Sequence, residues 1–346
     1  MNLLIITQKV DEQDAILGFF VGWLKEFSKS VEKVFVITLF KGDYDLPQNV
    51  EVFSLGKEEG KSRICRLLKF RKYAKELLPK TDAVLAHMCP EYIVAINHLI
   101  KKSFNQEIKK SNKPLYLWYT HKSVSKYLIK AEKIVKKIFT ASSESCRLNS
   151  EKIVVTSHGI DLEHFKLQDN VPALDYYNII TVGRITPRKN LAVIIEAVNQ
   201  LPSEIKNQIR LKFIGETLLE GDKKYLSELK IQVTRDKLQD IIEFVGPITY
   251  EKLPQALSHA DLFINVSKTG SVDKAVLEAM ALNVPVITSN EAFKNILPAK
   301  YLCEDSQLTE KIVEFYNNRP SDNLRKIVEQ NHSLKNLVKK IINEIF

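Results

Sequence analysis

The chain has 346 residues, 45% of them hydrophobic and 27% charged, which excludes wholesale disorder and fibrous classes and allows about two domains of ordinary size. Its longest uninterrupted apolar stretch, Ile16–Leu24, is far short of the ~20 residues needed to cross a bilayer. Net charge is +9 and the whole excess lies in the first half: residues 1–168 hold 28 Lys and Arg against 19 Asp and Glu, whereas residues 169–346 hold 23 of each.

Strand-sized apolar runs come first at LLIIT (3–7), VFVITL (34–39), AVLAH (83–87), PLYLWYT (114–120) and IVVTS (153–157). Runs this uniformly apolar fit parallel strands covered on both faces. The intervening Leu17–Phe27, Arg63–Leu78 and Val124–Ile138 carry apolar residues three and four apart with Lys or Glu between, the period of helices. Between Lys57 and Lys137 stand 20 basic and 7 acidic residues. That field suits an anionic partner (a membrane surface, a lipid phosphate or nucleic acid) or simply solvates Lys-rich helix faces. Nucleic acid is the poorer fit, because no aromatic ladder or reading motif accompanies the lysines.

After Ser157 the pattern breaks, and residues 158–176 read as a linker. It resumes with NIITVG (178–183), LKFIG (211–215), IIEFVG (241–246), ADLFINV (260–266) and VPVITS (284–289). The alternation predicts an α/β protein with two doubly wound domains, whose ligands lie outside the carboxyl ends of the strands. The predicted bounds are 1–168 for the first domain, 169–320 for the second and 321–346 for a C-terminal helix, docked on its own domain or returned to the first. The acidic start MNLLIITQKVDEQD lacks the basic n-region of a secretory signal. Cys65, Cys89, Cys146 and Cys303 form no Cys-x-x-Cys pair and are too few to staple the chain. A cytoplasmic protein is expected, docked at most peripherally on the inner face of a membrane.

Two segments carry chemistry. In NIITVGRITPRKNLAVIIEAV, Gly183 ends a strand, Arg184 follows, and Lys189 stands at a helix start five residues on. Two fixed cations beside free helix N–H groups suit a diphosphate; the alternative is an exposed basic turn. In ADLFINVSKTGSVDKAVLEAMALNVPVITS, the loop Lys268–Gly270–Ser271 can bring backbone N–H groups to a phosphate. Val276, Ala279 and Met280 face the core, and Glu278 lies among apolar neighbours, a cost unless it binds something. Its bland reading is a surface pair with Lys274.

Together these segments resemble the family 4 retaining glycosyltransferases (glycosyltransferase group 1) of the GT-B fold: VGR, the lysine before a helix, and LEAMALNVPVI are all present. SHGIDLEHF (157–165), ASSES (141–145) and the strand ending in His121 are weaker matches. The resemblance implies two Rossmann-like domains facing a central cleft, a nucleotide-diphosphate sugar held mainly by the second domain and a glycan or lipid-linked acceptor by the first. It assigns the diphosphate to Arg184 and Lys189, the ribose hydroxyls to Glu278, the sugar and phosphates to Gly183 and the Gly270–Ser271 loop, and the donor sugar also to His121. No cofactor and no metal are implied, since fixed cations neutralise the leaving group. The family usually shows Glu, seven residues, Glu; here the first falls on Gly270, for which Asp273 is the candidate substitute. The acidic loop containing Asp14 stands where a glycine-rich one faces the acceptor, and His87 at a strand end is a second acceptor-side candidate, with a strand-end histidine satisfied by backbone as the alternative. The rivals are a sugar-nucleotide epimerase, a phosphorylase or a catalytically silent relative.

Overall fold

The computed structural model describes residues 1–102, 113–167, 172 and 174–346. It divides into two units, Met1–Asp161 with Ser333–Phe346, and Leu162–His332. The predicted boundary after residue 168 lies outside the described residues, as do parts of the predicted linker and of the basic stretch.

The first unit is a seven-stranded parallel sheet of β1 (Asn2–Val10), β2 (Lys33–Lys41), β3 (Val50–Ser54), β4 (Ala83–His87), β5 (Leu115–Trp118), β6 (Lys137–Thr140) and β7 (Ile153–Val155) in the order β3-β2-β1-β4-β5-β6-β7. Alternation along β1 shows why the run is uniformly apolar. Leu3 and Ile5 enter a core shared with the helices Phe19–Ser28 and Leu334–Ile345. Leu4 and Ile6 enter another on the opposite face, with the helices Arg63–Leu77, Pro90–Lys101 and Lys126–Glu132. Two buried faces need two sets of apolar residues from one strand.

The second unit is a five-stranded parallel sheet of β8 (Tyr177–Val182), β9 (Ile209–Ile214), β10 (Ile242–Gly246), β11 (Leu262–Asn265) and β12 (Val286–Thr288), in the order β10-β9-β8-β11-β12. In both sheets the order reverses beside the first strand, at β1/β4 and at β8/β11, which opens a crevice at the carboxyl ends.

Three elements depart from the sequence reading. β3 and β6 are additional strands; β6 is swallowed by the helical period of Val124–Ile138, whose helix actually ends at Glu132. The predicted helix over 321–346 is two helices, Leu324–Asn331 in the second unit and Leu334–Ile345 in the first. Ser333 makes the break, its side chain accepting the Asn336 N–H at 3.3 Å as the cap of the last helix. That helix seals the first core: Leu337, Val338 and Ile341 are at most 1% exposed, and the Tyr116 hydroxyl donates to the Ile345 carbonyl.

Truncating Ile341 to Ala should therefore cost about 2–5 kcal/mol, the range for a buried aliphatic cavity. Urea unfolding followed on the first unit's tryptophans checks it, and an unchanged midpoint would mean that the helix is dispensable to this core.

Candidate functional site

The crevice beside β8 is shaped by two glycines. Gly183 and Gly215, just past the ends of β8 and β9, have φ of +148° and +146°. A β-carbon at 215 would stand 1.9 Å from the Gly183 carbonyl oxygen, so only glycine lets the two strand ends approach this closely. A β-carbon at 183 would lie 3.1 Å from Cε of Lys189, whose side chain runs across the glycine. Gly215 ends the LKFIG run, and its terminal position is the only sequence signal for it.

Lys189 closes a short 3-10 turn, Pro187–Lys189, and the helix Leu191–Asn199 follows it. Its Nζ lies 2.9 Å from Oδ1 of Asp273. The other oxygen, Oδ2, accepts from Nδ2 of Asn265 at 3.0 Å. Burial alone would raise the Asp273 carboxyl, but the charge and hydrogen bond of Lys189, with Asn265 and Ser267, hold it below its ordinary value. Asp273 is thus an ionised, committed carboxylate. The candidate substitute for the missing family glutamate thus already carries a partner on each oxygen. Arg184 is exposed, and its charge helps to hold Asp222. Burial raises that carboxyl, and the Thr186 hydroxyl, the Leu219 and Leu218 amides and Arg184 together bring it below the ordinary range.

The loop after β11 meets the loop after β8 through Lys268, whose N–H donates to the Arg188 carbonyl at 2.9 Å and whose Nζ pairs with Asp305 at 2.7 Å. Gly270 takes the left-handed conformation, φ +58°, and the Ser271 carbonyl accepts from Nδ2 of Asn290 at 2.9 Å. Asp273 then precedes the helix Lys274–Ala281, where Val276, Ala279 and Met280 are fully buried. Glu278 is 4% exposed and pairs with Lys274 at 2.6 Å. The pairing half of the bland reading therefore holds, while its surface half does not. Lys274 also lies over the Tyr250 ring, 4.7 Å from its centroid, and Tyr250 stacks on His164 at 4.5 Å. Asn290, Tyr250 and His164 join the site without a spacing signal in the sequence.

In the first unit, His121 is exposed, and its Nδ1 accepts the Ser123 N–H at 3.0 Å. In the neutral ring that leaves the proton on Nε2. His87 and Asp14 are corrected. His87 is 2% exposed, stacked against Phe20 and Trp118 at 4.2 and 5.1 Å, and bonded through Nδ1 to Thr7. Burial pushes its pKa down to about 3, so it is a neutral core histidine. Asp14 pairs with Lys9 and accepts the Ile16 and Leu17 amides at 2.9 and 2.6 Å, so it shapes its own loop. On the helix Arg63–Leu77 only Phe70, Ala74 and Leu77 are buried; Ile64, Leu67 and Leu68 are 72%, 46% and 58% exposed. Among the described residues no three of His, Cys, Asp and Glu converge as a metal site, and no helix is long and apolar enough to cross a membrane.

Residues 164–333 match the family model described as glycosyl transferases group 1. The chain is 31% identical over 149 residues to the amylovoran biosynthesis glycosyltransferase AmsK of Erwinia amylovora, covering 41% of this chain and 35% of AmsK. It is 27% identical over 119 residues to the alpha-monoglucosyldiacylglycerol synthase of Streptococcus pneumoniae, covering 34% of this chain and 25% of that protein. It thus spans about a third or less of the length of these curated relatives. In structure it is similar to Anabaena Alr3699/HepE in complex with UDP, with a TM-score of 0.75, 17% identity and 99% of both chains covered. At that identity the likeness shows the fold, the GT-B type with two Rossmann-like domains.

A histidine kept neutral in the fold takes up a proton only on unfolding, so the unfolded chain binds more protons between pH 6.5 and about 3, and stability falls as pH drops through that window. From His87 alone the loss between pH 7 and pH 5 should be about 2 kcal/mol. Denaturant unfolding at the two pH values checks it: His87→Phe should flatten the difference by that amount, and an unaltered difference would mean that His87 is protonated in the folded state.

Proposed function

We propose, on the premise that residues 164–333 belong to the glycosyl transferases group 1, that the protein is a retaining glycosyltransferase. It moves a sugar from a nucleotide-diphosphate sugar to an acceptor hydroxyl in the synthesis of a polysaccharide or glycolipid. The observation that carries this reading is the Lys189 ammonium, fixed against Gly183 at the β8 switch point and five residues after the exposed Arg184. Breaking the glycosidic bond leaves negative charge on the departing diphosphate, and cations already in place stabilise it without reorganisation. In this reading Arg184 and Lys189 take the diphosphate, Glu278 the ribose hydroxyls, and the Gly183 and Gly270–Ser271 backbone the phosphates and sugar. The resemblance assigns the donor sugar also to His121, whose Nε2–H is its donor. Retention needs no protein nucleophile: the acceptor oxygen bonds to the anomeric carbon on the face the diphosphate leaves, and a diphosphate oxygen takes the acceptor's proton. The biosynthetic names of AmsK and the streptococcal synthase support a glycan or glycolipid product.

A catalytically silent relative is the second reading, favoured by one observation: Gly270 has no carboxylate and that of Asp273 is already paired with Lys189 and Asn265. Turnover decides between them. With UDP-sugars as donors and EDTA present, Arg184→Ala and Lys189→Ala should each slow release of UDP a hundredfold or more, about 2.7–4 kcal/mol. Near-normal rates in both variants would remove the diphosphate assignment, and no turnover of any donor by the unaltered protein would favour the silent relative.

The acceptor side is read as working against an anionic membrane. The competing account, with the apolar residues of Arg63–Leu77 facing their own sheet, fits Phe70 and Leu77, whereas Ile64, Leu67 and Leu68 lie exposed among Arg63, Arg71, Lys72 and Lys75. Each basic residue near an anionic surface contributes about 1 kcal/mol, and three apolar side chains add shallow insertion. Sedimentation with vesicles tests this: binding to phosphatidylglycerol-containing but not neutral vesicles is expected, weakened by salt and by Leu67→Ser with Leu68→Ser. No binding at low salt would sink it.

A further inference from the structure

Asp273 stands where a nucleotide site has no evident use for it: an ionised carboxylate paired at 2.9 Å with the lysine read as a diphosphate contact. Both of its oxygens are anchored, one to Lys189 and one to Asn265, and its side chain is 12% exposed, so it does not swing aside when a ligand arrives. We infer that Asp273 is a resident counter-anion that competes with the diphosphate for Lys189 and weakens retention of the nucleoside diphosphate product more than binding of the sugar-nucleotide donor. The inference rests on the proposed donor site and adds to it the control of product release.

Two effects of the carboxylate oppose each other, and their sizes decide the sign. Asp273 orders a flexible lysine, and the rotamer freedom at stake in such a side chain limits that benefit to about thirtyfold in affinity. Against this, a unit negative charge a few ångströms from a bound phosphate in a partly buried site costs about a hundredfold or more. Repulsion wins. It also discriminates by charge, because a free diphosphate end carries a second ionisation, with a pKa near 6, that a sugar-capped diphosphate lacks. The product is therefore the more strongly repelled of the two. Lys274, next in the chain, does not cancel this field, since it is paired with Glu278.

Isothermal titration of the whole chain with UDP, UDP-glucose and uridine tests the inference. Asp273→Asn, which keeps shape and an oxygen for Asn265, should bind UDP at least tenfold more tightly than the unaltered protein, gain less for UDP-glucose, and leave uridine affinity unchanged. Asp273→Ser should do the same, which guards against a peculiarity of one variant, and the uridine arm reports that the fold survives. Lys189→Ala should weaken UDP and leave uridine unchanged. If the unaltered protein binds UDP and Lys189→Ala weakens it, but Asp273→Asn and Asp273→Ser bind UDP equally or more weakly, the counter-anion role is overturned while the donor site stands. If Lys189→Ala leaves UDP binding untouched, or the unaltered protein binds no UDP, the donor site itself falls and the inference with it.

Discussion

A carbonyl oxygen occupies the place where residue 215 would carry a side chain. That 1.9 Å approach between the Gly183 carbonyl and the ideal β-carbon position of Gly215 forces both strand ends into backbone conformations that glycine adopts at little cost. The consequences run outward along the chain. The turn after Gly183 leaves Arg184 exposed, and Lys189 comes back across the bare face of the same glycine. From there its ammonium reaches Asp273 on the neighbouring loop. An ion pair so little exposed is held by geometry more than by net attraction, since desolvation consumes much of the Coulomb gain. Asn265, at the end of β11, supplies that geometry by fixing the second carboxylate oxygen.

The helix Lys274–Ala281 is anchored at its far end by another charged group. Arg325 gives Nη1 to the carbonyls of Phe165 and Ala281, both at 2.6 Å, and Nη2 to that of Leu162 at 3.3 Å. One guanidinium fork thus satisfies carbonyls at the C-terminal end of the helix and in the segment that opens the second unit, a task for planar, divergent donors that a lysine cannot perform. Phe165 and His164 in turn pack on Tyr250, and Tyr250 lies under Lys274. The loop that carries the site and the chain that enters the unit are therefore parts of one packed block.

Most of the strands, and the strand-turn-helix form of the two chemical segments, were legible because each rests on a local rule. Uniform apolar runs mean strands covered on both faces, and a strand ending in Gly before a basic turn and a helix means an anion-binding end. What was not legible depends on through-space neighbours. β3 (VEVFS) is half-buried and β6 is four residues long, so neither run stands out from its flanks. His87 reads as a site residue because a histidine ends a strand; only the stacked Phe20 and Trp118 rings reveal it as core. Tyr250, His164 and Asn290 are each many residues from the groups they serve. Asp273 shows the same limit: its position near Gly270 suggested a sugar ligand, and only its distance to Lys189 shows where its charge is spent.

Charge placement separates the two units more sharply than net charge does. In the loops after β8 and β11 the cations come with anions attached: Lys189 with Asp273, Lys274 with Glu278, and Lys268 with Asp305. This is why residues 169–346 balance at 23 of each sign although the segment is read as an anion site. A site built of compensated pairs holds its side chains in order without a ligand, and of the two cations read as diphosphate contacts Lys189 is paired and only Arg184 is exposed. One helix of the first unit is arranged differently. On the helix Arg63–Leu77 the basic groups Arg63, Arg71, Lys72 and Lys75 stand exposed beside bare apolar side chains, with no acidic partner within ion-pair distance among the described residues. A smooth, extended field of that kind has little power to orient a small ligand, but it acts along a whole surface. Precision of contact is concentrated where the chain balances its charges, and reach is concentrated where it does not.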